Sequence, residues 1–282
     1  MLGHKLVQVL HKEADVWYTL RGRFEDVEDY SIFEEQRCVE YIDADGVAET
    51  RKTIERLRPD VVINAIGIVK QVSDSKNVIR TLTVNSIFPH RLNEFAVEFG
   101  FRLICISTDC VFDGNDGNYS EMDMPNAVDL YGKSKNLGEV VSDRALTLRT
   151  SIIGRELQTS HSLVEWFLSN KGKSIKGYAN AIYSGFPTVV LADIIKGLIF
   201  EHPYMTGLYH VSSDPISKFD LLNLLNNAYG SNIVIRRDED FKIDRSLDSS
   251  KFWNETKFIS AGWDEMIEKM AKDPTPYENW RK

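Results

Sequence analysis

Cysteine is scarce in this chain of 282 residues: only Cys38, Cys105 and Cys110 are present. An odd, widely spaced set without a Cys-x-x-Cys pair builds no disulfide framework, and a reducing compartment is expected. The six histidines (His4, His11, His90, His161, His202 and His210) are scattered and show no metal-ligand spacing, so no metal is expected. Positive charge is also short. Lys and Arg number 34 against 42 Asp and Glu, a net charge of −8, which argues against nucleic-acid binding through the overall field. No apolar run is long enough to span a bilayer and no leader is read ahead of the first helix. The expected location is the cytoplasm, away from membranes. A P-loop and a Gly-x-Ser-x-Gly elbow are missing too, which removes the chemistries they serve.

What is there is an ordinary globular composition, 43% hydrophobic and 27% charged, long enough for one large domain or two interlocked ones. Leu2, Leu6, Val9 and Leu10 share one helical face. Residues 16–20 and 39–42 read as short strands. Residues 50–57 read as a helix closed by Pro59, and 61–66 as a strand buried on both faces. A long helix over 77–98 ends at Gly100. Strands over 101–107 and 146–149 flank a helix around 132–141. Later, 162–168, 189–200 and 219–229 read as helices, and 208–211 and 233–235 as strands. Alternating strands and helices predict an α/β fold: a Rossmann-like, doubly wound parallel sheet with a smaller C-terminal substrate-binding part. The expected division is 1–150 for the dinucleotide-binding half and 151–282 for the interleaved substrate half.

Such sheets bind ligands at the carboxyl ends of their strands. The residues there are Arg21, Asp43, Gly67, Ser107-Thr108-Asp109 and Thr150-Ser151. Tyr131 and Lys135 lie four apart, on one face of a helix. A tyrosine titrates near about 10, and a neighbouring ammonium favours its phenolate, so the pair can move a proton at a carbonyl or alcohol. By itself this spacing fits a solvated helix face equally well. Ser107 or Thr108, at the end of the preceding strand, can hold a substrate oxygen against Tyr131; an N-cap is the commoner use of such a residue. Asn64-Ala65-Ile66-Gly67 places small residues where a flat ring can approach the backbone.

The order of motifs resembles the extended short-chain dehydrogenase/reductase superfamily, and within it the dTDP-4-dehydrorhamnose reductase family. The matching stretches are Arg58-Pro59-Asp60-Val61-Val62-Ile63-Asn64-Ala65, Val84-Asn85, Ser107-Thr108-Asp109-Cys110-Val111-Phe112-Asp113-Gly114, Tyr131-Gly132-Lys133-Ser134-Lys135, Gly138-Glu139, Leu148-Arg149-Thr150-Ser151 and Gly207-Leu208-Tyr209-His210-Val211-Ser212. The resemblance implies hydride transfer from NADPH, with NADH as the alternative, to the C4 ketone of a nucleotide-linked 4-keto-6-deoxy sugar in surface-polysaccharide synthesis. Tyr131 would protonate the alkoxide, Lys135 would lower its pKa and hold the nicotinamide ribose, and Thr108 would position the ketone. Gly3, Arg21, Asp43, Ala65, Gly67 and Ser107 would join Tyr131 and Lys135 on the cofactor. Asp43 would take the adenine, and Arg21 a 2′-phosphate. Lys70, Asp109, Cys110, Ile152, His161, Tyr183 and Arg245 are candidates on the substrate side.

Two departures stand out. Cys110 and Ile152-Ile153 replace positions that are usually aromatic, which points to another hexose or nucleotide, such as a UDP-linked 2-acetamido-2,6-dideoxy-4-keto sugar. A regulatory subunit that binds NADP without turnover, and an epimerase or dehydratase, are the competing readings. A homodimer is left open. The other departure is at the start. The family opens with a strand and a Gly-x-x-Gly-x-x-Gly loop, of which only the third glycine, Gly3, has a counterpart. The expectation is a truncated N-terminus that binds cofactor weakly. Residues encoded upstream should restore NADPH binding and thermal stability; micromolar NADPH affinity in the 282-residue chain would count against truncation.

Overall fold

In the computed structural model, residues 1–70 and 76–280 are described. Helix α1 (Leu2–Leu10) buries Leu2, Leu6 and Leu10, one per turn, in the main core. Strands β1 (Tyr18–Thr19) and β2 (Cys38–Val39) form a two-stranded parallel sheet of their own. Both are shorter than the sequence pattern suggests. Tyr41, with φ +57°, turns the chain out of line before the predicted end of β2. Helix α2 (Val47–Leu57) leads to β3 (Val61–Asn64).

The long helix that follows is α-helical in α3 (Val78–Leu82), π-helical over Thr83–Ile87, and α-helical again in α4 (Phe88–Phe99), ending at Gly100. Next come β4 (Arg102–Thr108), α5 (Leu130–Leu137) and β5 (Ala145–Thr150). The second half adds β6 (Ile152–Ile153), α6 (Leu163–Leu168), β7 (Ser174–Tyr183), β8 (Phe186–Pro187), α7 (Thr188–Phe200) and β9 (Gly207–His210). It closes with β10 (Ile216–Ser217), α8 (Lys218–Tyr229), β11 (Val234–Asp244), α9 (Ser250–Thr256) and α10 (Trp263–Ala271).

The main sheet runs β3-β4-β5-β9, all parallel. Strand faces alternate with period two. On β4, Ile104 faces the cluster built from α1, α7, α8 and α10, while Leu103 and Cys105 face the cluster built from α4. Strand β3 was expected to be buried on both faces. It bonds only β4 among the described strands, and Val61, Val62 and Ile63 are half-buried. A smaller sheet, β10-β7-β11, lies in the second half. Its central strand β7 escapes the sequence pattern because three of its inward positions, Gly177, Ala179 and Ala181, carry little hydrophobic signal. Strand β11 begins in the strand expected over 233–235, but its continuation to Asp244 escapes because it is a charged edge, largely exposed.

Helix α5 is squeezed between two backbones. A Cβ at Gly132 would lie 2.2 Å from the Cys110 carbonyl oxygen, and one at Gly138 would lie 1.8 Å from that of Asn85. Neither contact leaves room for a side chain, so both glycines are required by close approach. Asp129 caps the helix by accepting from the Gly132 amide at 3.0 Å.

Residues near the C-terminus hold α1 in place. Lys5 pairs with Asp273, both nearly buried, and donates to Thr275 at 2.8 Å. His4 Nε2 meets the Tyr277 hydroxyl at 2.7 Å. Burial pushes His4 down to about 3, aided by the positive N-terminus and Lys5. Burial, with Arg149 alongside, pushes His210 down to about 4. Both rings fold neutral but charge in the unfolded chain below about 6.5. Their contribution is therefore full above that value and is lost as pH falls towards the folded pKa. Each should cost about 2 kcal/mol of stability between pH 7 and pH 5. Urea titrations of His210→Gln at the two pH values should show a correspondingly smaller loss than wild type; an equal loss would refute this assignment.

Candidate active site

The carboxyl end of β4 carries the polar run Ser107, Thr108 and Asp109, all buried. A single 3-10 turn, Asp109–Val111, follows directly. Thr108 caps that turn: its hydroxyl oxygen accepts from the Cys110 amide at 3.1 Å and donates to Asp109 Oδ1 at 3.0 Å. The same hydroxyl acts on the phenol of Tyr131, favouring its ionised form. Tyr131 and Lys135 both lie on α5, one turn apart, so the expected helical pairing is present.

Their electrostatics differ from the simple expectation. Burial pushes the Tyr131 phenol well above its usual value, and Cys110, Asp109 and Asp129 push the same way; the Thr108 hydrogen bond opposes them. Lys135 does not offset this, because its ammonium is turned to the sheet, donating to the Ile106 carbonyl at 2.7 Å. Burial lowers the Lys135 pKa, against the pull of Cys105 and Glu139. Asp109 is pushed upward by burial, against hydrogen bonding from Thr108 and the charge of Arg245. Burial holds the Cys110 thiol up at about 12, so it stays neutral.

On the substrate side, Lys70 donates to Asp129 at 2.9 Å, with its ammonium 5.5 Å from the Tyr131 ring centroid. Arg245 donates to the Phe112 and Asp113 carbonyls at 2.9 and 3.2 Å. Tyr183, at the end of β7, is buried beside Ser151 with its phenol lacking a hydrogen bond of good geometry. Ile152 pairs with Phe186 through β6 and β8. Lys218, the first residue of α8, was not singled out from the sequence. It is largely buried within reach of the charges of Asp109, Cys110 and Arg245. His161 is exposed, and its amide donates to Glu156 at 2.8 Å.

On the cofactor side, Ala65, Ile66 and Gly67 form an exposed ledge beyond β3. The ledge continues into Ile68, which Asn85 of the π-helical stretch holds by both backbone groups: Nδ2 donates to the Ile68 carbonyl at 3.0 Å, and Oδ1 accepts its amide at 2.9 Å. Asn85 Nδ2 also lies 3.1 Å from the Ser134 hydroxyl of α5. One side chain thus ties the ledge to α5. Asp43 is clasped by Arg80 Nη2 at 2.7 and 2.8 Å, a partner the sequence reading missed. Arg21 is exposed, and its charge acts on Asp43. Gly3 lies in the first turn of α1 with nothing against it within 4 Å. The small and apolar surface of the ledge, next to the strand bearing Ser107 and Thr108, suits a nicotinamide ring. A separate cleft of about 820 Å³, lined by Lys5, Gln8, Arg37 and Thr275 among others, contains none of these residues.

A family model, the RmlD substrate binding domain, matches residues 1–238. The chain belongs to this family. It is 30% identical over 179 residues to a dTDP-4-dehydrorhamnose reductase of Aggregatibacter actinomycetemcomitans, covering 59% of this chain and 60% of that one. It is 26% identical over 203 residues to methionine adenosyltransferase 2 subunit beta of Xenopus tropicalis, covering 67% and 60%. The matches thus span about three-fifths of the length of these curated relatives. Among solved structures, a hypothetical dTDP-4-dehydrorhamnose reductase from Sulfolobus tokodaii superposes with a TM-score of 0.76 at 26% identity, covering 93% of this chain and 94% of that one. The Bacillus anthracis dTDP-4-dehydrorhamnose reductase in complex with NADP shares the fold, with a TM-score of 0.74 at 20% identity over 90% and 97% of the two chains.

Asn85→Ala removes the link between the ledge and α5. Three hydrogen bonds go with it, one of them to a hydroxyl, at a cost of about 3 kcal/mol. Hydrogen exchange at the Ile68 amide should quicken more than at Ile104 in the sheet centre. Unchanged Ile68 protection would show that the ledge is held otherwise.

Proposed function

We propose that this chain is an NADPH-dependent reductase acting on the C4 ketone of a nucleotide-linked 4-keto-6-deoxy sugar. The observation that carries the reading is the half-buried Tyr131, one turn before Lys135 on α5 and acted on by Thr108 at the end of β4. Burial keeps the phenol protonated, so it serves as an acid towards a developing alkoxide rather than as a base. Bound NADPH supplies the hydride. The ledge of Ala65 and Gly67 offers the surface for its ring, and the exposed guanidinium of Arg21 suits a 2′-phosphate. Thr108 orients the ketone oxygen towards Tyr131. The chain is similar to a reductase crystallised with NADP, which supports this cofactor.

Lys70, Lys218 and Arg245 gather positive charge about the Asp109–Cys110 turn, suited to an anionic, nucleotide-linked substrate. Cys110 and Ile152 offer less aromatic surface for stacking than the family pattern. That supports another hexose, another nucleotide or both, for which a UDP-linked 2-acetamido-2,6-dideoxy-4-keto hexose is one example. The similarity to a methionine adenosyltransferase subunit supports a second reading, an NADP-binding subunit without turnover.

Purified protein should oxidise NADPH, followed by absorbance, with either the dTDP- or the UDP-linked keto sugar. Tyr131→Phe should lower the rate about 10²–10⁴-fold. Tight NADP binding without consumption of either sugar would favour the subunit reading. A Tyr131→Phe variant at wild-type rate would remove Tyr131 as proton donor.

A further inference from the structure

The chemistry proposed above leaves unused a buried ion pair beside it. Glu139, just past the end of α5, and Arg149 on β5 have side chains only 7% and 4% exposed. Arg149 grips the carboxylate with two parallel bonds of 2.7 Å, from Nε to Oε1 and from Nη2 to Oε2. Such a fork fixes both position and plane. Oε1 also accepts from the Ser107 hydroxyl at 2.6 Å. The guanidinium is itself held. Its Nη1 lies 3.2 Å from His210 Nε2, and His210 Nδ1 meets the Tyr119 carbonyl at 2.9 Å. The carbonyl can only accept, so Nδ1 carries the proton and Nε2 accepts from Arg149.

We propose that Glu139 is a positioning residue for Tyr131 and Lys135: clamped by Arg149, it fixes the Ser107 hydroxyl at the strand end and holds a negative charge four residues along the chain from Lys135. The inference rests on the reading of Tyr131 as the proton donor, with Lys135 as its neighbour one turn along α5. Stability alone is a poor reason for the arrangement, since buried ion pairs are often replaced by apolar residues without loss. Among the described residues, a short set of groups acts on Lys135 or bonds it. They are the Ile106 carbonyl and the Cys105 thiol on β4, and Glu139 on its own segment, with Arg149 and His210 standing beyond Glu139. Burial pushes the Cys105 thiol up to about 12, so it is neutral in the working range. Among the described residues that act on Lys135, Glu139 is then the one that carries negative charge. Removing that charge favours the neutral amine, so the lysine should lose its proton at lower pH.

The test needs neither cofactor nor sugar. Protein labelled with 13C at lysine Cε is titrated by NMR, and the Lys135 signal is assigned by its loss in Lys135→Met. In Glu139→Gln the midpoint should fall by about one pH unit or more. Glu139→Asp keeps the charge and should restore the wild-type midpoint to within a few tenths. Glu139→Gln strands the Arg149 charge, so Glu139→Gln/Arg149→Met is measured beside it and should shift in the same direction. Glu165→Gln breaks a second buried pair, with Arg155, and should leave the midpoint in place while costing stability. A wild-type midpoint in folded Glu139→Gln, or in the double variant, overturns the proposal. Failure of both to fold would also overturn it, by assigning the pair to structure alone. If the midpoint shifts and no sugar is reduced, the clamp stands and the reductase reading falls.

Discussion

Helix α5 fits between two stretches of backbone only because Gly132 and Gly138 carry no side chain there. Everything chemical in the molecule is measured from that fit. The first contact sets Tyr131 against the turn that holds Thr108, Asp109 and Cys110. The second sets the helix end against the π-helical stretch that carries Asn85. Close packing of this kind tolerates little adjustment, because protein interiors are as dense as organic crystals. The position of the phenol is therefore a consequence of backbone contacts, and the polar groups around it refine that position.

Much of this was legible beforehand. The parallel sheet, the Tyr131–Lys135 spacing and the polar run after β4 follow from hydrophobic period and strand-end position, both local properties of the sequence. What escaped is non-local. Arg80 reaches Asp43 from 37 residues away, and no pattern in either stretch announces it. Strand β7 hides behind glycine and alanine, and the length of β11 beyond Ile235 behind a run of charges. Helix α10 also went unread, although its signal is local, with Trp263, Met266, Ile267 and Met270 buried at helical spacing. The direction of the Tyr131 shift was misjudged for a physical reason. The spacing gives the distance along a helix but not the solvent exposure of the phenol, nor the Ile106 carbonyl that draws Lys135 aside.

The two ends of the site differ in character. The region around Cys110 is crowded with charge from Lys70, Arg245 and Lys218, partly drawn from the second half of the chain. Around Ala65 and Gly67 the surface is small, apolar and open. A ligand with a flat neutral ring at one end of the reaction and an anionic tail at the other matches that asymmetry. The family to which the chain belongs is defined over both halves, as residues 1–238 include α8 and the start of β11.

The π-helical stretch over Thr83–Ile87 sets the angle at which Asn85 leaves its helix. An α-helix advances about 100° per residue, so one residue more or fewer turns every later side chain by that amount. Such a stretch is a register mark, comparable to an extra tooth on a gear. Shortening the segment by one residue would leave composition and hydrophobicity almost untouched. It would nevertheless bring a different side chain to Ile68 and Ser134. Chain length between Leu82 and Phe88 is thus a specification in its own right, one that substitutions at the same length cannot reveal.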